Sequence, residues 1–294
     1  MIGTKVLRIA ISALTMGALL AGCASGPAVK DRYFWPRLPD TPRIEWLGAY
    51  QSVRDLERSS KLMELLESED PVYLRDPFYI VSDGAGKVYV SDMKARGVLV
   101  FDFSKGKVHI LAEEYAVRPT SPTGVALDGE GNLYAADADR RSIFVYDKNE
   151  HEKTVIDVSK DLKAIGSMVI DKKRKRLVIP DIRGHKILIY DLSGKLLSTF
   201  GSRGLDNGLL SFPTAVAIDG EGNYLVSDQM NARVQRFTPD GKFISKFGER
   251  GDGPGELALP KGVAVDAENH VYVTDGKNHK IVIFDLTGRY LMDL

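Results

Sequence analysis

From residue 76 onward the chain alternates short apolar runs with polar turns, and this pattern repeats five times. Each unit opens with an apolar run closed by an Asp, and the closing residues are Asp83, Asp128, Asp171, Asp219 and Asp266. A second apolar run follows and is also closed by an Asp, in turn Asp92, Asp137, Asp181, Asp228 and Asp275. Residues of this second set are 45, 44, 47 and 47 positions apart. A period of this length indicates a repeat architecture.

Two further apolar runs complete each unit, as in residues 187–191 and 195–200 of the third unit. Four short antiparallel strands in about 45 residues predict one blade of a β-propeller. A single sheet of this kind cannot bury both of its faces, so the blades are expected to pack face to face around an axis. We therefore predict an all-β protein with a β-propeller over residues 76–294.

The loops between units support this prediction in detail. The motif Phe200-Gly201-x-x-Gly204-x₃-Gly208-x-Leu210-x₂-Pro213 is matched at every position by Phe247-Gly248-x-x-Gly251-x₃-Gly255-x-Leu257-x₂-Pro260. Together with residues 260–266, 271–275 and 278–285, these motifs resemble the NHL-repeat family over residues 76–294. The resemblance implies a propeller of four-stranded blades, usually six of them, whereas five repeats are visible here.

The third unit departs from the NHL pattern. Ile165 takes the position of the proline that precedes the first strand, and Pro180 interrupts the second strand. Proline lacks the N–H that a ladder of hydrogen bonds needs. We therefore expect the third blade to be the least regular of the five.

Five repeats leave three arrangements open: a five-bladed ring, an incomplete ring completed by a partner, or a chain shortened relative to its relatives. An open ring would expose two blade faces. Residues 42–48 are similar to the lead-in strand of bacterial NHL lipoproteins, which closes the ring by joining the last blade. We therefore expect a propeller-like ring of five blades plus an N-terminal strand.

The N-terminus has the layout of a secretory signal. Lys5 and Arg8 precede twelve uncharged, mostly apolar residues, 9–20, which are too few to span a hydrocarbon core of about 30 Å. The next residues, Leu20-Ala21-Gly22-Cys23, resemble the bacterial lipobox. The resemblance implies that residues 1–22 are removed as a signal peptide, that Cys23 is acylated, and that Ala24 directs the protein to the bacterial outer membrane. A buried free cysteine after an ordinary signal is the alternative.

Two segments join this anchor to the propeller. Residues 23–42 are rich in Pro and Gly and are predicted to form a tether. Residues 43–75 are predicted to hold the lead-in strand and a short amphipathic helix within residues 54–67, where Leu56, Leu62, Met63 and Leu66 lie among charges.

Composition narrows the choice of partners and chemistry. The chain of 294 residues has 40 basic and 40 acidic side chains and one cysteine. This balance argues against a nucleic-acid partner, which normally requires a basic excess. If Cys23 is acylated, no thiol remains for a disulfide, a thiolate metal site or a nucleophile.

The repeated Asp residues allow two interpretations. Carboxylates in register could bind calcium, or each could accept N–H bonds in its own turn. The second interpretation is favoured because turn residues must recur in every unit, whereas catalytic residues need not. His185 and His279 each follow such an Asp by four residues, at a position where other units have Arg or Ala. We therefore expect a loop position there, and no catalytic residue, metal or cofactor.

The densest run of charge in the chain is a candidate for anion binding. It consists of Lys172, Lys173, Arg174, Lys175 and Arg176. It replaces the Gly-Glu-Gly-Asn turn of the second and fourth units, so it is predicted at a hairpin tip. Such a tip either is simply solvated or contacts an anionic lipid or glycan by charge.

These observations predict an exported, lipid-anchored binding module that presents its loops to a protein, peptide or glycan of the cell envelope. Two other classes stay open. One is a metal-dependent propeller enzyme, because NHL-like propellers include a peptidylglycine lyase and related lactonases. The other is a structural component of an envelope assembly. The side chains that line the central channel are expected to discriminate between binding and catalysis.

Overall fold

The computed structural model describes residues 33–35, 44–46, 48–56, 72–115 and 117–294. The chain divides into two compact units, Met1–Gly48 and Ala49–Leu294. In the first unit, strand β1 (Tyr33–Trp35) pairs antiparallel with β2 (Ile44–Trp46). The second unit begins with a short helix, α1 (Val53–Leu56), and is otherwise almost entirely β-structure. None of the helices in the described ranges is long and apolar enough to cross a membrane.

Five four-stranded antiparallel sheets make up the second unit, and each is one blade. The strands of blade 1 are β3 (Pro77–Ser82), β4 (Lys87–Asp92), β5 (Gly97–Asp102) and β6 (Lys107–Ile110). Those of blade 2 are β7 (Pro122–Leu127), β8 (Leu133–Asp137), β9 (Ser142–Tyr146) and β10 (Glu152–Asp157). Those of blade 3 are β11 (Val169–Asp171), β12 (Arg176–Asp181), β13 (Lys186–Asp191) and β14 (Leu196–Phe200).

Blade 4 has the same order and one added turn. Its strands are β15 (Pro213–Ile218), β16 (Tyr224–Asp228), β17 (Arg233–Phe237) and β18 (Phe243–Phe247), with a 3₁₀ turn at Gln229–Asn231. A short parallel pair, β19 (Glu249–Arg250) and β20 (Glu256–Leu257), leads to blade 5. Blade 5 consists of β21 (Pro260–Val265), β22 (Val271–Asp275), β23 (Lys280–Phe284) and β24 (Tyr290–Asp293). The all-β propeller with five four-stranded blades is confirmed.

The hydrophobic core consists of layers between neighbouring blades. Val98 and Val100 of blade 1 pack with Phe144 and Tyr146 of blade 2, and comparable layers lie between each following pair of blades. The central strands are buried on both faces, which explains why they read as continuous apolar runs rather than alternating ones. Burial of these side chains is the main favourable contribution to the stability of the stack.

Blade 3 is the least regular, as the missing entry proline at Ile165 and the presence of Pro180 predicted. Its innermost strand β11 has three residues, whereas the innermost strands of the other blades have six. Pro180 pairs with Ile187 of β13, and its carbonyl accepts a bond from the Gly166 N–H at 3.0 Å. The N–H and C=O of one strand residue point to the same side. The missing N–H of Pro180 therefore faces the segment around Gly166, which lies before β11 begins at Val169, so no ladder bond is lost.

The predicted lead-in strand corresponds to β2, which pairs with β1. Its expected place beside the last blade stays a prediction. Strand β1 lies within the predicted tether. Of the predicted helix, the structure describes Val53–Leu56, and residues 57–71 lie outside the described part of the chain.

Blade 1 exposes one of its faces near the propeller axis. Ile80 of β3 is 63% exposed, whereas the residue at the same repeat position is buried in each later blade. These buried residues are Val125, Met168, Val216 and Val263. Farther out on the same face of blade 1, Leu56, Val72 and Leu74 cover Val90, Leu99 and Phe101. Strand β3 packs against β7, and no comparable packing of β3 against β21 occurs among the described strands.

This difference predicts unequal costs for the same truncation at two equivalent positions. We expect Val216→Ala to lower the free energy of unfolding by about 2 kcal/mol, because it leaves a cavity between blades 3 and 4. We expect Ile80→Ala to cost less than about 1 kcal/mol, because the side chain is already in contact with solvent. Urea unfolding of both variants measures the two values. Equal losses would mean that another part of the protein covers Ile80.

Candidate functional site

The Asp at the end of each second strand is buried and ties two loops together. Asp92 accepts bonds from the backbone N–H groups of Arg75 at 2.6 Å and Asp76 at 2.9 Å, which precede the innermost strand of its blade. Its other oxygen accepts the N–H of Ala95 in the following turn at 2.8 Å. The same contacts recur at Asp137, Asp181 and Asp275. All five of these Asp residues are at most 2% exposed.

Asp228 is a variation on this arrangement. It accepts the Ser211 N–H at 2.6 Å, and its second oxygen is bound by the Arg233 guanidinium at 2.7 Å. At Asp275, burial opposes ionisation, but the backbone N–H bonds outweigh it and hold the pKa of the carboxyl below its ordinary value. The turn interpretation of the repeated Asp residues is therefore confirmed, and their oxygens are occupied by backbone N–H groups or by neighbouring side chains.

The position four residues after each of these Asp residues has a left-handed backbone. The φ angles are 56° at Arg96, 49° at Arg141, 56° at His185, 54° at Ala232 and 53° at His279. His185 Nδ1 accepts the N–H of Phe212 at 3.1 Å, and the two rings pack edge to face. The predicted loop position is confirmed, and conformation explains why such different side chains occur there.

A cavity of about 590 Å³ lies along the propeller axis. The innermost strands of all five blades line it. Most of the lining residues are aliphatic. Those with accessible side chains are Ile80, Val81, Val169, Ile218, Ala264 and Val265, whereas Val125, Ala126, Leu127, Met168, Ile170, Val216, Ala217 and Val263 are buried between the blades. Among the described residues that line the cavity, the carboxylates are Asp171, Asp219 and Glu221, all at one mouth, and there is no histidine. The volume lies in the range of about 300–1,000 Å³ typical of small-molecule sites.

The predicted basic hairpin tip contributes to this mouth. Lys172, Lys173 and Arg174 line the cavity, whereas Lys175 and Arg176 of the same run do not. Arg174 is partly buried and binds Asp171 at 2.9 Å and the carbonyl of Gly222 in blade 4 at 3.2 Å. The run is therefore not one uniform charged surface. Arg174 fixes the turn against the next blade, and the exposed lysines project beside it.

The carboxylates at the mouth already have partners. Asp219 binds the Arg236 guanidinium at 2.7 Å, and Glu221 binds the same group at 2.8 Å. Asp171 accepts a second bond, from the Tyr224 hydroxyl at 3.0 Å. Within the described residues, Lys172 and Lys173 form no ion pair. The mouth therefore presents two ammonium groups whose charge is not compensated by a direct contact.

Among the residues that the structure describes, one group of possible metal ligands lies elsewhere, in the first hairpin of blade 5. The side-chain ligand atoms of Asp266, Glu268 and His270 lie within 4.8 Å of one another. Asp266 Oδ1 accepts the N–H groups of Glu268 and His270, and its other oxygen contacts the His270 ring at 2.9 Å. These contacts are those of an Asp-stabilised turn, so the cluster is explained by the hairpin.

Sequence reasoning located the basic tip and expected a central channel, but it did not identify the residues that line the channel. The relevant signal was present in the Val-Ala-aliphatic-Asp pattern that closes the innermost strands of blades 2, 4 and 5. This pattern predicted the strands without predicting which of their residues face the axis. Cys23, the predicted lipidation site, lies outside the described residues.

Comparison with known proteins agrees with the fold. The sequence profile of a family described as a 6-bladed beta-propeller matches residues 206–293. A comparison of the sequence with curated proteins yields no match. Virginiamycin B lyase from Staphylococcus aureus, solved as a catalytically inactive variant with quinupristin, is similar in structure with a TM-score of 0.57 and 15% identity. That similarity covers 74% of this chain and 69% of the lyase.

Two other solved structures are similar to this chain. One is from a nidogen/laminin complex, with a TM-score of 0.60, 18% identity and coverage of 74% of this chain and 79% of the other. The other is a streptogramin B lyase, with a TM-score of 0.54, 12% identity and coverage of 74% and 82%. At these identities the similarities establish the β-propeller fold and carry no site residues to this chain.

Away from the channel, a partly buried charge cluster joins blades 1 and 2. Glu150 contacts Lys87 Nζ at 2.5 Å and His109 Nε2 at 2.6 Å, and its side chain is 18% exposed. Burial opposes ionisation of Glu150, but the bonds and charges of His109 and Lys87 outweigh it and lower the pKa of Glu150 to about 2. The pKa of Glu150 in the folded protein is lower than the pKa of a glutamate in the unfolded chain. The ionised carboxylate therefore stabilises the fold above about pH 4.5.

The contribution of Glu150 should therefore be lost as the pH falls from about 4.5 toward 2. We expect Glu150→Gln to cost about 2–3 kcal/mol at pH 5.5, and this difference from the wild type should shrink at pH 4.0 and again at pH 3.0. Urea unfolding at the three pH values measures it, with Glu152→Gln on the exposed side of β10 as control. A deficit that stays constant with pH would contradict the assigned cause.

Proposed function

We propose that this protein is an exported binding protein, attached to a bacterial outer membrane by acyl groups at Cys23, with the propeller as its binding module. The observation that carries the binding function is that the carboxylates of the repeat serve the turns and leave the axis to aliphatic residues. The repeated carboxylates are occupied by turn contacts, and the central cavity is lined mainly by aliphatic side chains. Such a cavity suits recognition of a ligand better than general acid–base chemistry, which needs paired titratable groups.

The anchor rests on the Leu20-Ala21-Gly22-Cys23 motif. Acyl chains contribute about 0.8 kcal/mol for each buried CH₂ group, and two or more chains are sufficient for stable attachment. Removal of residues 1–22 would then leave Cys23 as the membrane-bound end of the chain, and Ala24 is consistent with outer-membrane delivery. The ligands of the exposed loops in this proposal are proteins, peptides or glycans of the envelope.

A metal-dependent lyase-like activity is the competing proposal. Two of the structurally similar proteins are lyases, which makes this class worth testing. However, the described residues that line the channel supply no histidine, and each of its three carboxylates is bound by an arginine. A resident ion in the channel would have to displace these contacts, so the geometry favours binding.

The anchor can be tested by replacing one atom. We expect the wild-type chain to partition with outer membranes and its mature N-terminal peptide to carry a mass increase equal to a diacylglyceryl group and an amide-linked acyl chain on Cys23. We expect Cys23→Ser to remain uncleaved or to lose the acyl groups. Membrane fractionation and mass spectrometry measure both results, with Ser25→Ala as a neighbouring control. A mature chain with an unmodified Cys23 thiol would overturn the anchor.

The same preparation tests the binding function against the enzyme alternative. We expect a melting temperature that does not change on chelation of divalent ions. A stoichiometric divalent ion in the purified protein, with a melting temperature that falls on chelation, would favour the metal-dependent enzyme.

A further inference from the structure

The central cavity and the basic tip form one continuous surface, and each supplies something that the other lacks. The cavity offers accessible aliphatic side chains from blades 1, 3, 4 and 5, namely Ile80, Val81, Val169, Ile218, Ala264 and Val265. Lys172 and Lys173 stand at its mouth, on the turn between β11 and β12, and both are exposed. An apolar lining next to unpaired ammonium groups is complementary to a molecule with an apolar body and an anionic end.

We propose that the cavity binds a small anionic amphiphile, with its aliphatic chain along the channel and its carboxylate, sulfate or phosphate at Lys172 and Lys173. The proposal adds a small-molecule site to the proposed binding function, and it does not depend on the anchor at Cys23. The ligand class follows from the lining: branched aliphatic side chains give contact area without directional bonds, whereas a ligand rich in hydroxyl groups would lose hydrogen bonds to water there.

Charge selects the sign of the head group. The three carboxylates at the mouth are paired with Arg174 and Arg236 at 2.7 to 2.9 Å. An anion arriving at the mouth therefore meets Lys172 and Lys173 as the cations still available among the described residues, and a cationic head group would meet them as repulsion. Both lysines are exposed, so salt screens their charge, and they discriminate between anionic and cationic head groups best at low salt concentration.

Arg174 has a positioning role in this site. Its contacts with Asp171 and with the Gly222 carbonyl hold the turn against blade 4. The adjacent Lys172 and Lys173 are thereby kept at the mouth instead of swinging away with a free hairpin. Lys175 belongs to the same turn but has a left-handed backbone with φ of 52° and does not line the cavity. Lys175 is therefore a matched control for Lys172 and Lys173 within the same turn.

The site can be tested with dodecyl phosphate, used below its micelle concentration, on the full chain carrying Cys23→Ser. Isothermal titration should give one molecule bound for each chain. We expect dodecanol to bind at least tenfold more weakly and inorganic phosphate not to bind measurably. Together these arms distinguish a joint site from a purely apolar or a purely anionic one. Failure of dodecyl phosphate to bind would overturn the proposal, while the outcome at Cys23 would be unaffected.

Three variants locate the ligand. We expect Lys172→Gln/Lys173→Gln to weaken dodecyl phosphate binding at least tenfold and Lys175→Gln to change it less than twofold. Ala264→Phe should also weaken binding at least tenfold with an unchanged melting temperature, because Ala264 is exposed and lines the cavity. If Lys175→Gln weakens binding more than twofold and Ala264→Phe has no effect, the basic tip binds anions as an open surface and the channel site is wrong.

Discussion

The buried aspartate at the end of each second strand is the interaction on which the rest of the structure depends. Burying a carboxylate is costly unless its oxygens receive hydrogen bonds. Each of these aspartates receives them from the segment that leads into the innermost strand, and four of the five also receive a backbone N–H from the turn after the second strand. One side chain per repeat therefore sets where the innermost strand begins. Charge-assisted bonds of this kind are roughly twice as strong as neutral ones, and they act where loops would otherwise leave backbone groups unsatisfied.

This use of carboxylates shapes what the molecule can do. A ring of acidic residues in register looks like a metal site in the sequence, yet the fold directs these side chains into loops and turns. The axis is left to the short aliphatic residues of the innermost strands. Chemistry at the axis is thereby confined to the mouth, where blade 3 departs from the repeat and substitutes lysines and arginines for a Gly-Glu-Gly-Asn turn. Blade 3, the least regular blade, thus supplies the lysines and the arginine that mark one mouth of the channel.

Most of the fold was predictable because a repeat tests each interpretation five times. The blades, their strand order and the turn role of the aspartates all followed from the spacing of short apolar runs. The tie from Arg174 to the Gly222 carbonyl was not predictable, because the two residues are 48 positions apart and belong to different blades. Exposure of Ile80 was equally hidden, since its position in the repeat is that of a buried core residue. The pairing of β2 with β1 was not predicted, because three residues of alternating pattern do not specify which edge they will pair with.

The role of the buried aspartates is tested most directly in blade 2, where one aspartate is buried and joins two segments and another is partly exposed and bonds only its own turn. Asp137 is fully buried and accepts the N–H groups of Thr120, Ser121 and Arg140. Asp147 accepts those of Asn149 and His151 in a partly exposed turn. Urea unfolding in the absence and presence of calcium should give a loss of about 2–4 kcal/mol for Asp137→Asn and less than about 1 kcal/mol for Asp147→Asn, with no effect of calcium on either. Equal small losses for the two variants would contradict the structural role. So would a wild-type free energy of unfolding that rises with calcium, if Asp137→Asn lost only this calcium-dependent rise.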